Sequence, residues 1–173
     1  MVATFLQDDL AEELGSLFAD FRANSPGGER VPLNIFKQFL PIPTAQEIPD
    51  TVTDLELEEG IYDAVAEQVP FPYILIRLTD GVITNIGGEQ TVSVNIIIGT
   101  VDRSADNQGY KDVLNIIQKI YERFSKNAIL AGRYECAMPI EWALQEEESF
   151  PYFFGGMALN FKTTPIIRED PYT

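Results

Sequence analysis

Hydrophobic positions recur along the chain with two periods, and each change of period marks a new element. From Leu6 to Phe21, residues Leu6, Leu10, Leu14, Leu17, Phe18 and Phe21 keep helical spacing while Asp8, Asp9, Glu12 and Glu13 take the other face. That pattern predicts an amphipathic helix whose expected first turn is crowded with acids, where the helix dipole favours them. Asn24-Ser25-Pro26-Gly27-Gly28 ends it. Val31 to Leu40 predicts a strand with Val31, Leu33, Ile35, Lys37 and Phe39 on one side, and Pro32 marks a strand end or an edge. Tyr73 to Thr79 predicts a further strand, with turns at Asp80-Gly81 and Asn85-Ile86-Gly87-Gly88. Thr91 to Val101 alternates cleanly, with Val92, Val94, Ile96 and Ile98 against Thr91, Ser93 and Asn95. This is the pattern of a strand in an antiparallel sheet packed on one side, and Ile97 implies that the second face is partly covered.

A second helix is expected from about Gly109 to Lys126, with Asp106 or Asn107 as its N-cap. Tyr110, Val113, Leu114, Ile117, Tyr121 and Phe124 form its apolar stripe, widened by Ile116 and Ile120. Two strands follow. In the first, Tyr134, Cys136, Met138, Ile140 and Trp142 alternate with more polar or smaller residues, and Pro139 argues for an edge. In the second, Phe153, Met157, Leu159 and Phe161 share the inner face, and Gly155-Gly156 marks a bulge or a close approach. The order of elements predicts an α+β fold: a mainly antiparallel, mixed sheet with two principal helices on one face. The chain of 173 residues reads as one domain over residues 1–173.

Composition changes that picture in two places. Between Thr44 and Val69 the chain carries Glu47, Asp50, Asp54, Glu56, Glu58, Glu59, Asp63 and Glu67 and no basic residue. These are over half of the excess behind the net charge of −15. The segment reads as an acidic surface excursion, either ordered on docking to a partner or simply a solvated loop. The second change is the absence of histidine. It removes Ser-His-Asp and Cys-His catalysis and His-based zinc or haem ligation, leaving carboxylate or lysine chemistry. The single cysteine, Cys136, reads as a buried, unreactive thiol. A chain this acidic is repelled by phosphates, so specific reading of nucleic acid is not expected. No stretch reaches the ~18 apolar residues needed to cross a bilayer, and the N-terminus lacks the pattern of a signal peptide.

Candidate sites for small-molecule chemistry fail on spacing. Asp102 to Gly109 starts like a calcium loop, but Asn107 and Val113 stand where an EF-hand needs glycine and glutamate. The glycine pairs are not followed by a phosphate-loop lysine. Glu146, Glu147 and Glu148 lie in one run, whereas two-metal chemistry draws carboxylates from separate rigid elements. A carboxylate-metal-dependent hydrolase is therefore the lowest-ranked reading. No cofactor is expected. Trp142, Phe150, Tyr152, Phe153 and Phe154 are an adhesive patch or core, and core is favoured.

Two segments carry a resemblance. Val94 to Asp102, running on through Asn107-Gln108-Gly109-Tyr110-Lys111-Asp112-Val113-Leu114-Asn115-Ile116-Ile117, is similar to the strand and helix opening of tail terminator (neck) proteins from phages of Gram-positive bacteria. Met138-Pro139-Ile140-Glu141-Trp142 with Phe150-Pro151-Tyr152-Phe153-Phe154-Gly155-Gly156-Met157 resembles the C-terminal hairpin of the same group. The motif positions are Asp102, Asn107, Gln108, Gly109, Tyr110, Asp112, Pro151, Tyr152 and Gly155. The likeness covers roughly Phe71 to Pro165 and a leading helix; the acidic excursion is longer than it implies.

The resemblance implies a structural, non-enzymatic subunit of the virion neck, assembled in the bacterial cytoplasm. It implies a homohexameric ring on the completed tail tube that ends tube growth and joins the head connector. In contractile phages the ring also meets the sheath. DNA then passes through the lumen without specific binding, and no membrane is involved. Glu47, Asp50, Asp54, Glu56, Glu58, Glu59, Glu146, Glu147 and Glu148 are its candidate interface residues. A head-completion protein or another tail component of similar fold is the alternative.

Overall fold

The computed structural model describes residues 2–42 and 69–165. Helix α1 (Val2–Leu17) leads into a two-stranded hairpin, β1 (Ala23–Asn24) and β2 (Arg30–Val31), and then β3 (Asn34–Lys37). Strands β4 (Tyr73–Ile83) and β5 (Gln90–Val101) follow, then α2 (Tyr110–Lys126), β6 (Ile129–Leu130), β7 (Tyr134–Leu144) and β8 (Tyr152–Thr163). The six-stranded sheet has the order β3-β4-β5-β8-β7-β6, antiparallel throughout except for the parallel β3–β4 pair. The fold is α+β with a mixed sheet and two helices, as the sequence pattern predicts.

Both helices cover one face. Leu6, Leu10 and Leu14 of α1 and Val113, Ile116, Ile117, Ile120 and Phe124 of α2 pack on Ile74, Ile76, Val92, Val94, Ile96, Ile98, Met157, Leu159 and Phe161 in one cluster. Each such side chain contributes about 1.5–3 kcal/mol when fully buried. On the opposite face a small cluster of Phe71, Tyr73, Leu75 and Val101 occupies one end of the sheet, with Ile97, Tyr152 and Phe154 against it. The expectation that Ile97 meets a partly covered second face holds.

Several elements differ from expectation for definable reasons. Helix α1 starts at Val2 and ends at Leu17, not 6–21, so no acid lies in its first turn. Its acids act instead as tethers: Asp8 pairs with Lys37 at 2.6 Å, Asp9 with Arg133 at 2.6 Å, and Glu13 with Arg123. Phe18 stays in the core beyond the helix end and meets Phe21 edge-on at 5.6 Å. The expected strand from Val31 to Leu40 is cut at Pro32 into β2 and β3, and Phe39 is exposed. Pro32 thus ends one strand just before the edge strand β3.

Asp80-Gly81 is not a turn. Strand β4 runs through it to Ile83, and a register shift between Leu78 and Asp80 absorbs the extra residue. The Asn85–Gly88 turn forms as expected, the Gly88 N–H donating to the Asn85 carbonyl at 2.9 Å. Gly109 caps α2 in place of Asp106 or Asn107, with no side-chain cap. The helix also presents Ile116 and Ile120 at the centre of its buried face, leaving Tyr110 and Tyr121 exposed and Leu114 half-buried.

The sheet's two margins are finished differently. Strand β3 ends at Lys37, and the Gln38 side chain takes its place beside β4. Gln38 Oε1 accepts from the Leu78 N–H at 3.1 Å, and Gln38 Nε2 donates to the Leu78 carbonyl at 3.1 Å. At the other margin β6 pairs only with Tyr134 and Glu135. The rest of β7 has no outer strand among the described residues, and Pro139 sits in the register shift between Ala137 and Glu141. The edge inferred from Pro139 is present.

Candidate assembly surface

The two segments that carry the resemblance meet at one end of the sheet. As β5 ends, the Asp102 N–H donates to the Pro151 carbonyl at 2.9 Å. Asp102 Oδ1 then accepts from the Ser104 N–H at 2.9 Å, shaping the turn into α2. Gly109 sits against the Phe153 ring, and a Cβ there would fall 2.7 Å from Asp102 Cβ. A Cβ on Gly155 would fall 2.6 Å from Val113 Cγ1, so the absence of a side chain there lets Val113 of α2 pack directly on β8. Gln108 donates its N–H to Asp106 Oδ1 at 3.3 Å, and Tyr152 stacks on Phe71 with centroids 5.0 Å apart. Tyr110 is exposed. Asp112 is half-buried, and its carboxyl is held above its ordinary range by burial, against the pull of the Arg30 guanidinium and with a push from Asp102. Most of these positions shape the joint through packing and backbone hydrogen bonds.

The joint holds the acidic loop between β7 and β8. Asn107 Nδ2 donates to Glu148 Oε1 at 3.0 Å, and Ser149 Oγ donates to the Tyr152 carbonyl at 2.8 Å. Glu146, Glu147 and Glu148 are exposed and, with Tyr110, Phe150 and Phe153, line a surface recess of about 340 Å³. The recess presents carboxylate acceptors beside apolar surface. Among the described residues no three acidic, histidine or cysteine side chains are placed to hold a metal ion. Glu47, Asp50, Asp54, Glu56, Glu58 and Glu59 lie outside the described residues, so the structure does not place them beside the Glu146–Glu148 run.

The aromatic set divides. Tyr152, Phe153 and Phe154 are half-buried and pack on the two clusters, in keeping with core. Trp142 and Phe150 are exposed, as is Met138, so the expectation of core fails for them. Met138 and Trp142 lie on β7 at the sheet margin and Phe150 in the loop that follows it, where alternation alone does not guarantee cover. Cys136 is buried, which pushes its thiol up to about 11 and keeps it protonated at neutral pH.

Sequence reasoning missed one arrangement. The pairings Arg77↔Asn95, Asn95↔Ala158 and Ala158↔Glu141 form a straight row across β4, β5, β8 and β7. It places a cation near one margin and a carboxylate at the other, on the open face. The Arg77 guanidinium lies 5.6 Å from the Phe39 ring, and its Nε donates to the Gln38 carbonyl at 3.3 Å. Nothing in the local pattern announces this row, because it exists only once the strand register is set.

Among the described residues no helix is long and apolar enough to cross a membrane. No protein-family model matches the chain, and no curated protein matches it either.

Proposed function

We propose that this chain is a structural subunit that assembles into a ring on the tail tube of a long-tailed bacteriophage, ends tube growth and joins the tube to the head connector. The observation that supports this reading is the joint between the two resembling segments. Residues far apart in sequence meet there, at glycines that leave no room for a Cβ. The residues that carry the resemblance thus form one contiguous piece of this chain's structure. Charge supports the same reading. At −15 per subunit, a ring of such chains repels DNA phosphates overall, which suits a lumen that DNA passes without being held. Where the tail contracts, the sheath is a further neighbour.

The test is direct. Purified chain is mixed with tail tubes that lack their end proteins and viewed by negative stain. Rings seated on one end of each tube are expected, with no further addition of tube subunits. Bare tube ends, and binding to the head connector alone, would instead favour a head-side completion protein.

A further inference from the structure

Two exposed apolar groups flank the ends of the cross-strand row. At one margin Phe39 is 70% exposed beside Arg77; at the other Trp142 is 57% and Met138 63% exposed beside Glu141. Among the described residues neither Arg77 nor Glu141 forms an ion pair. The pairing Arg77↔Asn95↔Ala158↔Glu141 sets both charges at one height along the strands and on one face of the sheet. One molecule thus carries opposite charges on one face at its two margins, with an exposed ring near each. Phe39 lies against Arg77, and Trp142, register partner of the core residue Met157, lies on the helix side of the Glu141 margin.

We propose that the two margins are the halves of one copy-to-copy contact, in which the Glu141/Trp142 margin of one subunit docks on the Arg77/Phe39 margin of the next. The occupant is a second copy of this chain because the charges complement each other at matched height. An isologous dimer would instead bring Arg77 toward Arg77, or Glu141 toward Glu141. Contacts between unlike surfaces propagate head to tail and close into rings when the rotation allows. Pro139 and the β7 register shift block continuous strand pairing at that margin, so side chains make the contact. The inference rests on the ring reading and deepens it by naming the surfaces.

The test uses Phe39→Cys and Trp142→Cys, both at exposed positions where folding is spared, with a short bismaleimide cross-linker. Buried Cys136 is left unreacted. Each variant alone should give no cross-linked dimer, their mixture should give one, and the double variant should give a ladder. Charge supplies a second arm. Arg77→Glu and Glu141→Arg should each weaken self-association about ten-fold or more, and mixing the two should restore it. Cross-linking of Trp142→Cys to itself, with none in the mixture, would overturn the contact. So would sedimentation showing a wild-type oligomer that neither cross-linking nor charge reversal touches, though the ring reading would then survive. A wild-type chain that stays monomeric with and without tubes ends both.

Discussion

The two faces of the six-stranded sheet are built from the same strands and obey different rules. On the helix-covered face, β5 contributes Val92, Val94, Ile96 and Ile98, all within 1% of complete burial. One residue along, the same strand presents Ser93, Asn95 and Ile97 to the open face, where Ser93 Oγ donates to Asp80 Oδ1 at 2.8 Å and only one end is covered. The covered face is filled by large side chains whose removal leaves cavities. The open face is made of small and polar groups at its centre, with apolar and charged groups at its margins. The first face holds the chain together; the second is the one left available to other molecules.

Adjacent residues give the sharpest way to break this contrast. Ile96→Ala should cost about 2–5 kcal/mol, by transfer and cavity together. Ile97→Ala should cost roughly 1 kcal/mol, because its side chain is only half-buried. Urea unfolding of the two variants measures both, and equal losses in the isolated chain would mean that the open face is packed as a core. Next in size is Gly155→Ala, which forces a methyl into Val113 and should cost about 1–3 kcal/mol by overpacking. A neutral result there would remove the reason for reading the joint as close-packed. Smaller again is Gln38→Ala. It strips the partner from the Leu78 N–H at the β4 margin and should lower stability by about 1 kcal/mol, with faster amide exchange at Leu78.

The covered face was legible in the sequence and the margins were not, for a physical reason. Burial imposes period, so the β5 alternation and the Leu6, Leu10 and Leu14 spacing identify their elements directly. Two-residue strands such as β1, β2 and β6 are too short to show any period. Asp80-Gly81 reads as a turn because bulges and turns draw on the same residues. Trp142 was misread because alternation tells which side a residue takes, and not whether anything lies over that side. The candidate site divides in the same way. Asp102, Gly109 and Gly155 were visible as motif positions, but their meeting depends on the β5–β8 register, as does the alignment of Arg77 with Glu141. Long-range pairing is the part of the structure that local pattern does not encode.

The smallest expected effect bears on the joint, where the covered face gives way to exposed loop. Burial raises the Asp112 carboxyl above its ordinary value of 3.8, the Arg30 guanidinium lowers it, Asp102 raises it, and the net direction is upward. A carboxyl that binds its proton more tightly folded than unfolded loses stability as pH rises from that ordinary value through the folded one. At neutral pH the ionised group is then a net cost, and the attraction of Arg30 does not fully offset its lost hydration. Asp112→Asn should raise the melting midpoint at pH 7 by on the order of a degree in a chain this size. The difference should shrink toward zero near pH 3, where both side chains are uncharged. Thermal melts of the two proteins across that range decide the sign. A variant less stable at pH 7 would mean that the Arg30 attraction outweighs burial, and that this corner of the joint is held by charge and not by packing.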